Sequence, residues 1–146
     1  MLIQGGATIT SFCIEWHNWG EIHAIDDIAV EITKVSRRKK LLTIGQCNAI
    51  GNDLFSTAIP LTDEICDHLF SLVETVAAEA SQQDYMVEVN DGYYWRLLLR
   101  HSDKHVHILE GTVDAPNAAK ELENYIEKLL ENQHNMGEVH LFGARW

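Results

Sequence analysis

Residues 91–130 read DGYYWRLLLRHSDKHVHILEGTVDAPNAAKELENYIEKLL, and this stretch decides the fold class. Asp91-Gly92 is a strong hairpin signal, because both central residues of a type I′ turn need positive φ. Tyr85–Asn90 before it and Tyr93–His101 after it are therefore expected as paired strands. Trp95, Leu97 and Leu99 alternate along the second of them and share one face. A two-residue turn at Asp103-Lys104 would bring Val106 and Ile108 to that face on the returning strand, whereas the other phase would set His105 and His107 beside Trp95 and Leu99. The hydrophobic pattern favours the first register. Gly111 ends the sheet run, Asp114 or Asn117 can cap a final helix, and Pro116 suits its first turn. Leu122, Ile126, Leu129 and Leu130 form that helix's apolar stripe, opposite Lys120, Glu121, Glu123, Glu127, Lys128 and Glu131.

Upstream, Pro60 marks a boundary and Thr62 is a good N-cap, with Asp63 and Glu64 in the first turn where the helix dipole favours negative charge. Ile65, Leu69, Leu72, Val73, Val76, Ala77 and Ala80 then recur at helical spacing and predict an amphipathic helix through residue 80. The first sixty residues carry strand signals instead. Thr8–Trp16 is β-branched and aromatic, Asn18-Trp19-Gly20 supplies a turn, and Glu21–Ile25 is a second extended stretch. Ile28–Val35 alternates so that Ile28, Val30 and Ile32 would face the core. Ser36–Lys40 makes a polar turn, Leu41–Ile44 pairs back, Gly45–Asp53 reads as loop, and Leu54–Ile59 reads as an edge strand. The tail Met136–Trp146, with Val139, Leu141 and Phe142, is expected to add a short strand or fold across the sheet. The expected fold class is α+β in a single domain, 1–146: a mainly antiparallel sheet with N-terminal strands, a central amphipathic helix, a three-stranded meander and a C-terminal helix.

Composition bounds the function classes. The chain has 146 residues, 46% of them hydrophobic, enough for one real core. With 11 Lys plus Arg against 22 Asp plus Glu, the formal net charge is -11, which repels phosphate backbones and argues against nucleic acid as a direct partner. Cys13, Cys47 and Cys66 are far apart with no CxxC pair, so neither a disulfide framework nor a zinc finger is suggested, and a reducing cytoplasm fits. The stretch MLIQGGATITSFCIEW lacks the features of a secretory signal, and no apolar run approaches the roughly 20 residues that a membrane span needs.

Among chemistry-bearing residues, His101, His105 and His107 are the nearest histidine group, and a slipped hairpin register would bring them together. A small metal-dependent hydrolase or nuclease would need them to hold zinc, which the neighbouring Arg100 disfavours. Cys13 with His17, or Cys66 with His68, could be imagined as nucleophile and base, but buried structural thiols explain these cysteines better. No catalytic residue, metal ligand or cofactor is assigned, and the chain is expected not to be an enzyme. Arg37-Arg38-Lys39-Lys40 reads as a solvated turn that discourages edge pairing. Trp16, Trp19, Tyr93 and Tyr94 lie amid acidic residues, and exposed Trp and Tyr are common anchors of protein-binding surfaces. Trp95 is expected in the core.

The order helix, strand, Asp91-Gly92 turn, strand with Trp95, Leu97 and Leu99, charged turn, strand ending at Gly111, then Pro116 and the helix of Leu122, resembles small acidic bacterial immunity proteins of the contact-dependent inhibition and polymorphic-toxin type, over about residues 61–131. The resemblance implies a non-enzymatic cytoplasmic protein that binds a cognate secreted toxin domain, plausibly a basic nuclease, and covers its active site through an acidic surface. The expected contacts are Glu15, Trp19, Glu21, Asp26 and Asp27, with Asp53 and Asp91 as additions from nearby loops. The expected assembly is a monomer or weak homodimer; a dimeric regulatory or scaffold subunit would instead bury Trp16, Trp19 and the tail against itself.

Overall fold

In the computed structural model, the described residues are 8–18, 28–48, 50–80, 93–112, 115–131 and 141–142. The element order is β1 (Ile9–Asn18), β2 (Val30–Ser36), β3 (Leu41–Cys47), β4 (Asp53–Pro60), α1 (Asp63–Ala80), β5 (Tyr93–His101), β6 (Val106–Gly111) and α2 (Asn117–Leu130). The strands form one six-stranded sheet in the order β4-β3-β2-β1-β5-β6, and every neighbouring pair is antiparallel. The fold is therefore α+β, as expected. The segments Glu21–Ile25 and Tyr85–Asn90 and the Asp91-Gly92 turn lie outside the described residues. Of the expected meander, the described part is the β5–β6 hairpin, and β5 has β1 along its other edge.

Sequential antiparallel pairing makes residues directly opposite one another share a face. On β1, a register irregularity between Ile9 and Ser11 turns both Ile9 and Phe12 inward, followed by Ile14 and Trp16. This heavy set fixes the phase of its neighbours: Phe12 pairs with Val35, Ile14 with Thr33 and Trp16 with Glu31. The inward face of β2 is consequently Glu31, Thr33 and Val35, all buried, while Val30 and Ile32 face the other way and are half-buried. The sequence expectation for this strand was thus reversed in phase. Glu31, only 1% exposed, is accommodated by a hydrogen bond from Gln46 Nε2 to its Oε1 at 3.3 Å, since a buried carboxyl group needs such a partner. β3 follows with Leu42, Ile44 and Gln46 inward, and it runs on through Cys47, so the loop is shorter than expected. Asn48 closes it, its Oδ1 accepting from the backbone N–H groups of Ile50 and Asn52.

The second correction concerns the β5–β6 hairpin. Arg100 pairs with Val106, Leu99 with His107 and Leu97 with Leu109. The turn has three residues, not two: His101 and His105 close it, Lys104 N donates to His101 O, and Lys104 takes φ 71°. A three-residue hairpin built on a type I turn requires that left-handed position, and Asp103 Oδ1 supports it by accepting from His105 N at 2.9 Å. Val106 and Ile108 therefore lie on the face away from Leu97 and Leu99, and are 37% and 44% exposed. Because β6 is an edge strand, His107 on the inward side is only half-buried and its placement there is tolerated.

The helices cover the inward face. Thr62 caps α1 as expected, Oγ1 accepting from Ile65 N at 3.2 Å, and the α1 stripe is buried from Leu69 to Ala80 with the addition of Cys66 and Phe70, while Ile65 is half-buried. Phe70 meets Phe12 edge-on at 5.2 Å, and His68 on α1 meets Tyr125 on α2 at 4.5 Å. The basic turn after β2 folds against the start of α1: Arg37 pairs with Asp67 at 3.0 Å and stacks over Phe70, and Lys40 pairs with Asp63. The Asp63 hydrogen bond is the main influence that raises the Lys40 pKa.

The cap of α2 is not local. Pro116 occupies the N-cap position with no side-chain cap bond, Asn117 is the first helical residue, and Asp114 lies outside the described residues. Glu79 of α1 supplies the acceptor, its carboxylate receiving Asn117 N at 2.6 Å and Ala118 N at 3.0 Å. A carboxylate near the end of α1 is poorly placed for that helix's own dipole but well placed for the start of α2. Glu79→Ala should lower stability by about 1 kcal/mol, the usual effect of a lost cap. Equilibrium urea unfolding checks this, with an unchanged midpoint as the contrary result. Beyond α2, Leu141 and Phe142 are buried, with Phe142 edge-on to Trp95 at 5.2 Å and its N–H donating to Glu123 Oε2.

Candidate functional site

The outward face of the sheet has no covering layer among the described residues, and the alternation that buries one set of side chains presents the other set on this open face. Four cross-strand rows can be read from the register. At one end lie Tyr94, His17, Val30, Cys47 and Asp53; next come Glu110, Arg96, Glu15, Ile32 and Ser56. The third row is Ile108, Leu98, Cys13, Lys34 and Thr43, and the last is Val106, Arg100, Ser11, Ser36 and Leu41.

The face is polarised along the strands. At the first end, His17 Nε2 and Glu15 Oε1 are 3.0 Å apart, His17 stacks on Tyr94 with ring centroids 4.5 Å apart, and Arg96 Nε donates to Glu110 Oε1 at 3.1 Å. Arg96 also approaches Glu15 at 3.9 Å, so the network crosses β6, β5 and β1. At the same end, Asp53 Oδ1 accepts from the Cys47 thiol at 3.4 Å. At the other end, Lys34, Lys39 and Arg100 line a groove of about 470 Å³ over Ser11 and Cys13, with Leu41, Leu98 and Val106 as its apolar surface.

The expected contact residues distribute unevenly between described and undescribed chain. Glu15 and Asp53 both fall on the open face, three strands apart and one row offset, or about 16 Å at the usual strand geometry. Trp19, Glu21, Asp26, Asp27 and Asp91 lie outside the described residues. Their described neighbours in sequence nonetheless converge. Asn18 N donates to Ala29 O at 2.8 Å, Ala29 N donates to Cys47 O at 2.8 Å, Asn18 pairs with Tyr93, and Cys47 pairs with Asp53. Asn18, Ala29, Asp53 and Tyr93 therefore share one end of the sheet, the end nearer Glu15. Sequence reading missed the network through Arg96 and Glu110, because only the register of three strands brings these residues into one row.

The alternative chemistries gain little. His101 is buried, its ring 5.7 Å from that of His105, and burial together with these two neighbours pushes the His107 pKa below the ordinary histidine value. No group of three or more His, Cys, Asp or Glu side chains that could hold a metal ion occurs among the described residues. Cys66 is buried as expected, whereas Cys13 is half-buried on the open face, which corrects its reading as a core thiol; Cys47 is half-buried on the same face. Burial pushes the Cys13 thiol up to about 11, with Glu15 adding to the rise and Lys34 opposing it. Cys47 and Cys66 are also raised, chiefly by desolvation. None of the three is thereby activated as a thiolate nucleophile. Trp16 and Trp95 are core residues. No described helix is long and apolar enough to cross a membrane. Compared with known proteins, the chain matches no family model and no curated sequence.

Proposed function

We propose that this protein is a non-enzymatic, cytoplasmic immunity-type partner that binds and neutralises one secreted toxin domain, a basic nuclease fitting the charge best. The contact surface on this reading is the Glu15–Asp53 end of the open sheet face. The observation that carries it is convergence: Glu15 and Asp53 lie on that face, and the described neighbours of Trp19, Glu21, Asp26, Asp27 and Asp91 meet at the same end of the sheet. The net charge of -11 supports it by steering a basic partner over distances where no contact is yet made. The resemblance to immunity proteins over residues 61–131 supports it from the other half of the chain.

The test is co-expression with the product of the adjacent gene, then titration of the purified pair. Binding and protection of cells from that product are expected. Raising salt should slow association strongly and change dissociation less, since exposed charges are screened beyond about 8 Å at physiological ionic strength. Trp19→Ala should act the other way and mainly speed dissociation, as loss of an aromatic anchor does. Failure to bind or protect, together with turnover of a small substrate by this chain alone, would overturn the reading in favour of an enzyme.

A further inference from the structure

At the end of the open face remote from Asp53, the sign of the surface reverses. Lys34 projects from β2, Lys39 from the turn after it and Arg100 from β5, so three cations surround one concavity in a protein of net charge -11. None of the three makes an ion pair with a described residue, in contrast to Arg37, Lys40 and Arg96 nearby. Glu15 is the one carboxylate among the described residues lining the groove, and it is held toward His17 and Arg96. The register sets the spacing: Cys13 pairs with Lys34 on one side and Leu98 on the other, and Ser11 pairs with Ser36 and Arg100. Lys34 and Arg100 therefore stand two strands apart and two residues offset, about 12 Å, on either side of β1.

Apolar side chains flank the cations, Leu98 and Val106 on the Arg100 side and Leu41 beyond Lys34. Leu41, Leu98 and Val106 line the same groove, and Val106, on an edge strand, is 37% exposed. The Cys13 thiol at the floor of the groove is half-buried, and desolvation is the first cause that pushes it up to about 11. A volume of about 470 Å³ falls within the range typical of small-molecule sites and is too small to hold a folded partner.

We propose that this groove is a binding site for a small organic carboxylate with an aliphatic body, its carboxylate held among Lys34, Lys39 and Arg100 and its body laid over Leu98 and Val106. Arg100 suits the carboxylate because a guanidinium offers two parallel N–H donors to its two oxygens. The aliphatic part removes Val106 and Leu98 from water, which an inorganic anion cannot do. The inference does not rest on the toxin reading, although Glu15 borders both surfaces.

Octanoate is the probe, with octanol as its uncharged counterpart and inorganic phosphate as an anion without a body. Titrations of the full chain are followed by amide NMR shifts and calorimetry. Octanoate should bind saturably and one to one, with shifts centred on Ser11, Cys13, Leu98 and Arg100. Arg100→Glu and Lys34→Glu should each weaken it by at least about tenfold, since a like charge then replaces an attractive one. Both positions are exposed, so the variants should keep the wild-type melting curve, and Lys120→Glu on α2 should bind as the wild type does. Absence of saturation, equal binding of octanol, phosphate binding as tightly as octanoate, or charge-reversed variants that bind octanoate normally would each overturn the proposal.

Discussion

Leu97→Ala is expected to lower stability by about 2–5 kcal/mol, through lost burial and the cavity left behind. Leu97 is fully buried, with Ile14 opposite it on β1 and Leu109 opposite it on β6. The companion variant is Ile108→Ala. In the three-residue-turn register Ile108 lies on the open face and is 44% exposed, so its truncation should change stability by no more than about 0.5 kcal/mol. In the two-residue-turn register it would be a core residue, and its loss would approach that of Leu97→Ala. Urea unfolding of the two variants separates the registers: equal large losses would contradict the hairpin described here.

Gly111→Ala should be nearly as damaging although it adds one methyl group. Gly111 pairs directly with Trp95, and a Cβ at position 111 would fall inside contact distance of the indole ring. That ring is fully buried and packed edge-on against Phe142, so it has no free direction in which to move. Overpacking of this kind typically costs about 1–3 kcal/mol, and a rigid backbone on one side places this case at the upper end. The mechanism predicts rescue. Trp95→Phe removes the part of the ring that meets position 111, so Trp95→Phe/Gly111→Ala should be more stable than the sum of the single effects allows. Additive thermal melts would show that the glycine is needed for some other reason.

The sequence made some of these features legible and hid others for identifiable reasons. The stripe from Leu69 to Ala80 and the Thr62 cap are local, so helical spacing and cap chemistry suffice to find them. The phase of β2 is a neighbour's decision: judged alone, Ile28, Val30 and Ile32 are the better core set, but Phe12, Ile14 and Trp16 across the ladder are heavier and carry Val35, Thr33 and Glu31 inward with them. The β5–β6 hairpin failed on turn geometry, because a lysine in the left-handed region leaves no sequence signal as strong as Asn-Gly or Asp-Gly. Glu79 as the cap of α2 acts across 38 residues and cannot be seen by reading outward from Pro116.

The candidate site was legible in part for the same reasons. Glu15 and Asp53 were identified as acidic residues beside turns, and both fall on the open face. Arg96, Glu110, Lys34 and Arg100 were missed, because their significance comes from which strands become neighbours. The run Arg37–Lys40 divides in a way no composition argument could foresee: two of its members neutralise the start of α1, and Lys39 joins the groove.

On the proposed reading, the Glu15–Asp53 end of the open sheet face makes the contact with the partner. The most direct measurement is the Kd of the complex with the adjacent gene product for Asp53→Lys against Glu121→Lys. Both residues are exposed, one on the open face and one on the helical layer, and the two changes alter net charge equally. The prediction is a loss of about tenfold or more for Asp53→Lys, which is about 1.4 kcal/mol, and little change for Glu121→Lys beyond the shared effect of net charge. Equal losses, or a larger loss for Glu121→Lys, would contradict it and assign the contact to the helical layer.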